Sequence, residues 1–173
     1  MDERADPRCC ECNGVIYFLY HMVPQKQHQI RAEGYTVAFD TISANTSGRT
    51  DIIDITAEVE GAIRASGIKN GSVLLFISGS TAALTTIEYE SGVVNDLRMA
   101  IERITPRDID YEHDRRWGDG NGYSHVRAAL VGASLQIPLR EGRMLLGTWQ
   151  QVVLLDFDNR PRKREVQVHL SGV

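Results

Sequence analysis

The fold is indicated most clearly near the end of the chain, by the two runs Thr148-Trp-Gln-Gln-Val-Val-Leu-Leu-Asp-Phe157 and Lys163-Arg-Glu-Val-Gln-Val-His-Leu170. Both runs contain β-branched and other apolar residues in the density that is typical of strands. Residues 158–161 lie between them and end in a proline, which indicates a turn. Consecutive strands that are joined by a short turn run antiparallel, so this part of the chain predicts an antiparallel sheet.

Further strands are predicted upstream of this pair. Residues 72–78 form a nearly continuous apolar run, which indicates a buried central strand. Residues 82–90 fit either a strand or a helix, and the β-branched Thr85, Thr86 and Ile87 favour a strand. The complete set of predicted upstream strands is 35–43, 72–78, 82–90, 134–139 and 143–146.

Two main helices are predicted between these strands. The first begins with Thr56 as its N-cap and ends before Gly67. The second begins with Ser91 as its N-cap and runs to about Ile104, with apolar residues at helical spacing. Residues 126–131 indicate a further short helix. The sequence therefore predicts an α+β fold, in which an antiparallel sheet is curled or doubled into a β-sandwich or pseudobarrel that carries two main helices.

The chain of 173 residues divides most simply into an extension at residues 1–33 and one folded domain at residues 34–173. The extension has no clear hydrophobic period, so we expect it to be poorly ordered. Its apolar run at residues 15–23 is far shorter than the roughly 20 residues that cross a bilayer. We therefore expect no contact with a membrane.

The composition of the chain indicates which classes of partner and which cellular compartment to expect. The net charge of -4 argues against a nucleic-acid-binding surface, which normally needs a basic face. All three cysteines, Cys9, Cys10 and Cys12, lie outside the predicted domain. A disulfide framework is therefore not expected in that domain, and a reducing, cytoplasmic location is favoured.

Polar and metal-binding residue types are concentrated in residues 111–125, Tyr-Glu-His-Asp-Arg-Arg-Trp-Gly-Asp-Gly-Asn-Gly-Tyr-Ser-His. Three glycines and the lack of an apolar period predict a loop. His113, Asp119 and His125 supply two imidazoles and a carboxylate, a donor set for a divalent metal ion such as zinc or magnesium. The alternative is that they form local hydrogen bonds only. Asn121 could orient a carbonyl or phosphate oxygen, or could simply form a turn.

Two other segments could serve a phosphorylated ligand. Ser80 and Thr81 offer backbone N–H groups and hydroxyls to an anion, although a plain turn fits the same residues. Arg162 and Arg164 belong to a basic patch that could bind phosphate esters, or could be a solvated hairpin tip or a subunit contact. Glu88 could act as a general acid or base, the alternative being an exposed polar face.

A resemblance to a known family rests on five motifs that occur in order. They are Ser80-Thr-Ala-Ala-Leu-Thr-Thr-Ile-Glu88, His113-Asp114, Asp119-Gly-Asn121 running to His125, Leu146-Gly-Thr-Trp-Gln150 and Pro161-Arg-Lys-Arg164. Together they resemble the YjbQ family, also called UPF0047 or secondary thiamine-phosphate synthase, over about residues 35–172. Two positions depart from the family pattern. Gly79-Ser80-Thr81 stands where many members carry a histidine followed by two threonines, and Asn159-Arg160 replaces a single glycine.

The resemblance implies a compact α+β sandwich-like fold, a homotrimer and a metal-capable pocket at subunit boundaries. The implied reaction joins hydroxymethylpyrimidine diphosphate to a thiazole phosphate and releases pyrophosphate. The implied metal ligands are His113, Asp119 and His125, the implied catalytic residues are Glu88, Asn121 and His125, and the implied substrate- or phosphate-binding residues are Ser80, Thr81, Arg162 and Arg164.

Two other functions would use the same residues. A metal-dependent hydrolase of a small phosphorylated substrate would use the same ligands with water as the nucleophile. A non-catalytic trimer that binds a metal or a ligand would keep the polar segment for structure.

Overall fold

The computed structural model describes residues 28–32 and 34–173. Within these residues the elements are β1 (His28–Ala32), β2 (Tyr35–Thr46), β3 (Asp51–Asp54), α1 (Thr56–Ser66), β4 (Gly71–Ile77), β5 (Ala82–Ile87), α2 (Ser91–Ile104), α3 (Glu112–Trp117), α4 (Gly122–Val131), β6 (Ser134–Arg140), β7 (Arg143–Met144), β8 (Gln151–Asp156) and β9 (Arg162–Gly172). The predicted α+β class is confirmed. The two predicted main helices are α1 and α2, the predicted short helix at residues 126–131 is the second part of α4, and α3 was not predicted.

The strands form two antiparallel sheets. The larger sheet has the strand order β1-β2-β9-β4-β6-β7, and the smaller one has the order β3-β8-β5. Every pair of neighbouring strands is antiparallel, as predicted. No helix among the described residues is both long and apolar enough to cross a membrane.

The two strands from which the fold was predicted, β8 and β9, do not pair with each other. β8 lies between β3 and β5 in the smaller sheet, whereas β9 lies between β2 and β4 in the larger one. Their burial explains this difference. Five of the six residues of β8 are buried, which requires cover on both faces, whereas buried and more exposed residues alternate along β9. Residues 157–161 therefore connect the two sheets and do not close a hairpin.

The core is divided by the smaller sheet. Val152 and Leu154 of β8 pack into a cluster with α1 and the inner face of the larger sheet. Val153 and Leu155 point to the opposite face and pack against α2 and α4. Successive side chains of a strand point to opposite faces, so β8 contributes to both clusters. The smaller sheet is thus the middle layer of the molecule.

Two predictions about the larger sheet need adjustment. β4 is central in the sheet, but its outer face is only partly covered and Phe76 is 45% exposed. The sheet also begins before the predicted start of the domain, because residues 28–32 form β1 and pair with β2. The remainder of the predicted extension, residues 1–27 and 33, lies outside the described residues.

The N-termini of the two predicted helices are built differently from the prediction. Thr56 is the first residue of α1 and not its N-cap, because Asp54 Oδ1 accepts hydrogen bonds from the Thr56 amide at 2.8 Å and from its hydroxyl. Ser91 likewise lies inside α2. The N-cap is Glu90, whose carboxylate accepts hydrogen bonds from the amides of Gly92 and Val93 and whose pKa these bonds lower.

Candidate functional site

Residues 111–125 do not form the loop that was predicted. They form a unit that consists of α3, a turn and the beginning of α4. α3 ends at Trp117, its C-cap Gly118 has the left-handed φ of 68°, and α4 begins at Gly122. The two helices approach closely, because a Cβ on Gly122 would lie 2.5 Å from Cβ of Tyr111. The Gly122 amide donates to Asp114 Oδ1 at 2.8 Å. Such short helices carry too few apolar residues for their period to be visible in the sequence.

This unit brings the three predicted metal ligands together. His113 comes from α3, Asp119 from the turn and His125 from α4, and their candidate ligand atoms all lie within 4.8 Å of one another. His113 Nε2 is 3.3 Å from Asp119 Oδ2, and the centroids of the two imidazole rings are 4.4 Å apart. Two imidazoles and one carboxylate therefore converge on one small volume.

The Asp119 carboxylate is stabilised in its charged form. Desolvation raises its pKa, but hydrogen bonds from His113 and from the Asn121 amide outweigh that effect and hold the pKa below its ordinary value. Asp119 is exposed, whereas the two histidines are half-buried. The group is accordingly charged and open to solvent on the side of the turn.

Asn121 is buried behind this group and connects it to the strands. Its Oδ1 lies 2.5 Å from the hydroxyl of Ser124 and accepts a hydrogen bond from the Asn159 amide at 3.2 Å. Asn159 in turn donates its side-chain amide to the carbonyl of Asp119 at 2.8 Å. The turn that carries Asp119 is thus fastened to the connection between β8 and β9.

A cleft of about 230 Å³ opens next to the metal-capable group. It is lined by Asp119, Asn121, Asn159, Arg160 and Arg162. Two arginines and two asparagines therefore share a small polar cavity with the carboxylate-bearing residue of the His/Asp group. This arrangement suits an anionic oxygen ligand such as a phosphate.

The predicted phosphate-binding arginines have different surroundings. Arg164 is buried and forms a bidentate ion pair with Asp156, with N–O distances of 2.7 and 2.6 Å. Arg162 is 35% exposed and pairs with Asp158 Oδ2 at 2.8 Å, and it lines the cleft. Arg162 can therefore reach a ligand in the cleft, whereas Arg164 mainly stabilises buried carboxylates.

Thr81 belongs to the same buried network. Its hydroxyl lies 3.0 Å from Asp158 Oδ2, and Arg164 donates to Thr81 Oγ1 at 2.7 Å. Desolvation raises the pKa of Asp158, but the hydrogen bonds from Arg162 and Thr81 and the charges of both arginines hold it below its ordinary value. Ser80, the residue before Thr81, is exposed.

Glu88 is separated from these groups within one chain. β5 begins at Ala82, beside Thr81, and ends at Ile87, so Glu88 lies just beyond the other end of the strand. At about 3.3 Å per residue it is roughly 20 Å or more from Thr81. Glu88 is exposed and contacts none of the predicted site residues among those that the structure describes.

Several polar residues at the site were not predicted from the sequence. Asp156 and Asp158 are fully buried, and Arg127 is 1% exposed. The sequence held one signal for the two aspartates, because they interrupt and follow an apolar strand shortly before a cluster of arginines. Buried carboxylates are nearly always paired, so this pattern indicated ion pairs between them and the arginines. Arg127 gave no such signal, because its partners lie far away in sequence.

Among the described residues, the three larger clefts contain none of the predicted site residues. The cleft between α1 and the turn that joins β6 to β7 has a volume of about 580 Å³, and Arg64, Lys69 and Arg143 contribute its positive charge. The predicted residues concentrate instead around the small cavity beside Asp119.

Comparison with known proteins agrees with this architecture. The model of the family described as "UPF0047 protein YjbQ-like" matches residues 40–173. A UPF0047 protein of Methanothermobacter thermautotrophicus is 39% identical over 127 residues, which are 73% of this chain and 87% of that protein. The UPF0047 protein YugU of Bacillus subtilis is 33% identical over 133 residues, covering 76% and 98% of the two chains.

Solved structures show the same similarity. A YbjQ-like protein of unknown function from Sulfolobus solfataricus superposes with a TM-score of 0.76 at 34% identity, covering 80% of this chain and 99% of that one. A YjbQ/UPF0047 family protein from Clostridium acetobutylicum gives a TM-score of 0.69 at 34% identity, with coverage of 75% and 98%. With its fold, its ordered motifs and these relatives in agreement, the chain belongs to the YjbQ-like UPF0047 family.

Proposed function

We propose that this protein is a metal-assisted enzyme that acts on a small phosphorylated substrate. The first candidate reaction is that of a thiamine-phosphate synthase, which joins hydroxymethylpyrimidine diphosphate to a thiazole phosphate and releases pyrophosphate. One observation carries the proposal: Asp119 belongs both to the His/Asp group and to the lining of the cleft that contains Arg160 and Arg162. A phosphate in that cleft would adjoin a metal ion held by the group.

The donor set fits a divalent ion of the zinc type better than magnesium. Imidazole nitrogens suit zinc, whereas magnesium prefers oxygen ligands and retains several waters. Metal–ligand bonds of about 2.1 Å place tetrahedral ligand atoms about 3.4 Å apart. The 3.3 Å between His113 Nε2 and Asp119 Oδ2 matches this separation, and all the candidate ligand atoms of the group lie within 4.8 Å of one another.

A bound divalent ion would supply Lewis-acid stabilisation of charge that develops on phosphate oxygens. The other tasks fall to the side chains of this chain. Arg162 and Arg160 neutralise and orient the phosphate, and Asn121 with Asn159 holds the turn that presents Asp119. The hydroxyl of Ser80 remains a candidate for substrate orientation, whereas the buried Thr81 hydroxyl holds Asp158 and Arg164 in place. His125 remains a candidate catalytic residue.

We also propose a homotrimeric, cytoplasmic enzyme. Glu88 can take part as an acid or base only if a neighbouring copy brings the far end of its own β5 to the cleft. Val126 and Leu130 support a subunit contact, since they lie one turn apart on α4 and are 41% and 64% exposed. The cytoplasmic location follows from the cysteine distribution.

A metal-dependent phosphate hydrolase is the second candidate. The exposure of Asp119 favours it, because a solvent-accessible centre admits water as a nucleophile. The third candidate is a non-catalytic trimer that binds a metal or ligand. In that case, replacing His113 or His125 should change only stability or assembly.

One assay separates the three functions. The zinc-loaded protein is incubated with both thiamine precursors, and thiamine phosphate, pyrophosphate and inorganic phosphate are quantified. Equal amounts of thiamine phosphate and pyrophosphate would support the synthase, and phosphate release without coupling would support the hydrolase. His125→Ala should abolish either activity while it still folds, and His169→Ala on β9 serves as the matched control. Turnover that is equal in the parent and in His125→Ala would contradict the proposal.

A further inference from the structure

A second cleft adjoins the first and is rich in arginine. It has a volume of about 690 Å³ and receives Arg49 from the loop between β2 and β3, Arg98 from α2 and Arg160 from the connection between β8 and β9. Three separate segments of a chain whose net charge is -4 thus contribute arginines to the lining of one cavity. Positively charged side chains that line one cavity repel one another unless an anion neutralises them.

The charge balance of this cleft is positive. Asp51 is its one acidic lining residue, and its Oδ2 already accepts hydrogen bonds from the amide and hydroxyl of Ser47 at 2.8 and 2.9 Å. Within the part of the chain that the structure describes, the side chains of Arg49 and Arg160 have no ion-pair partner. Arg98 uses only its Nε, which donates to the carbonyl of Thr50 at 3.1 Å.

The backbone beneath Arg49 is held in an unfavourable conformation. Gly48, Arg49 and Thr50 have consecutive positive φ angles of 71°, 57° and 67°. Residues with side chains rarely adopt these angles, and a β-branched residue does so least of all. The conformation is fixed by the hydrogen bond from the Arg49 amide to the carbonyl of Asp158 at 2.7 Å and by that from Arg127 to Thr50 Oγ1 at 2.8 Å. Backbone strain that the surrounding structure enforces is concentrated at functional sites.

The two clefts share a wall. Asn159 and Arg160 line both of them, so Arg160 stands between the cavity beside Asp119 and the cavity beside Arg49. An anion in either cavity would contact the same guanidinium. The two anion positions would therefore be separated by about the width of one side chain.

We propose that Arg49, Arg98 and Arg160 form a second phosphate-binding cleft, so that each chain binds two phosphate groups on either side of Arg160. The ligand class is either one molecule that carries two separated phosphates or two phosphorylated molecules bound side by side. The binding of phosphate in the first cleft, beside Asp119, rests on the proposed function. The second cleft itself follows from the residues that line it.

The test is a titration of the zinc-loaded and dialysed protein with inorganic phosphate at constant ionic strength, followed by ¹H–¹⁵N NMR. Two groups of amides should shift, one around residues 47–51 and one around residues 119–121. Arg49→Gln should weaken binding at the first of these groups by about tenfold, because a charge-assisted hydrogen bond is lost, and should leave the second group unchanged. Arg103→Gln, on the exposed face of α2, is the matched control.

The possible results are distinct. Shifts that are confined to residues 119–121, or shifts at residues 47–51 that Arg49→Gln and Arg98→Gln leave unchanged, would overturn the second cleft but not the proposed function. Shifts that are confined to residues 47–51 would support the second cleft and count against the phosphate site of the proposed function. Fructose 1,6-bisphosphate that binds far more tightly than fructose 6-phosphate would identify a single ligand that bridges both clefts, whereas equal affinities would identify two separate ligands.

Discussion

At the scale of single residues, the side chain with the widest influence on the site is Arg127, which contacts no proposed ligand. It is 1% exposed and donates to the carbonyl of Thr105, to Thr50 Oγ1 and to Glu102 Oε2. Its guanidinium also lies 4.8 Å from the ring centroid of Tyr123. Through these contacts α4 is joined to the end of α2 and to the strained loop that carries Arg49.

Replacing Arg127 should therefore destabilise the whole domain. Arg127→Gln leaves the Thr105 carbonyl and the Thr50 hydroxyl without their buried donor, at a cost of about 2–4 kcal/mol in the free energy of unfolding. Urea unfolding measures this loss, with Arg103→Gln as the control for the removal of an exposed arginine. A loss below about 0.5 kcal/mol, which is typical of surface substitutions, would contradict the structural role.

At the scale of elements, a buried ion network joins the two sheets where the chain passes from one to the other. Asp156 ends β8 in the smaller sheet, and it contacts Arg164 of β9 and, at 2.5 Å, the hydroxyl of Thr46 of β2 in the larger sheet. Asp158 extends this network to Thr81 and to Arg162 at the cleft. Asp158 pairs with Arg162, which lines the cleft, so the geometry of the cleft depends on the charged state of Asp158.

The network gives a pH dependence of defined sign. The folded-state pKa of Asp158 is below its ordinary value, so Asp158 stabilises the fold above a pH of about 4 and this contribution is lost as the pH falls through the folded pKa. Asp158→Asn should reduce the free energy of unfolding by about 2–4 kcal/mol at pH 7. It should also flatten the decline in stability between neutral and strongly acidic pH. Asp96→Asn, at an exposed position of α2, is the control, and an equal decline in Asp158→Asn and the parent would refute this role.

The same elements show what the sequence could and could not predict. The composition of residues 148–157 and 163–170 predicted two strands, because strand propensity is a local property. Their assignment to different sheets was not predictable from the short connection, since it depends on which strand is covered on both faces. The donor set of His113, Asp119 and His125 was visible in the sequence. The helices that bring these residues together, and the pairing of Arg164 with Asp156, depend on tertiary contacts.

At the scale of the whole molecule, the proposed trimer would place several copies of the site in one assembly. Light scattering should give a mass three times that of the 19.3 kDa chain, and Leu130→Glu should lower it by placing a charge on the exposed face of α4. A mass of one chain over the whole accessible concentration range would rule out the trimer. It would also leave Glu88 without a route to the cleft.

Above all, we propose that α3, the beginning of α4, the turn between them and the adjoining cleft form a metal-supported phosphate site. Measurement of bound zinc after loading and dialysis tests it most directly, on the parent, on His113→Ala and His125→Ala, and on His169→Ala as the control. We expect stoichiometric zinc in the parent and in His169→Ala, and a loss of most of the zinc in folded His113→Ala and His125→Ala. Zinc that is retained equally by all four proteins, or bound by none of them, would contradict it.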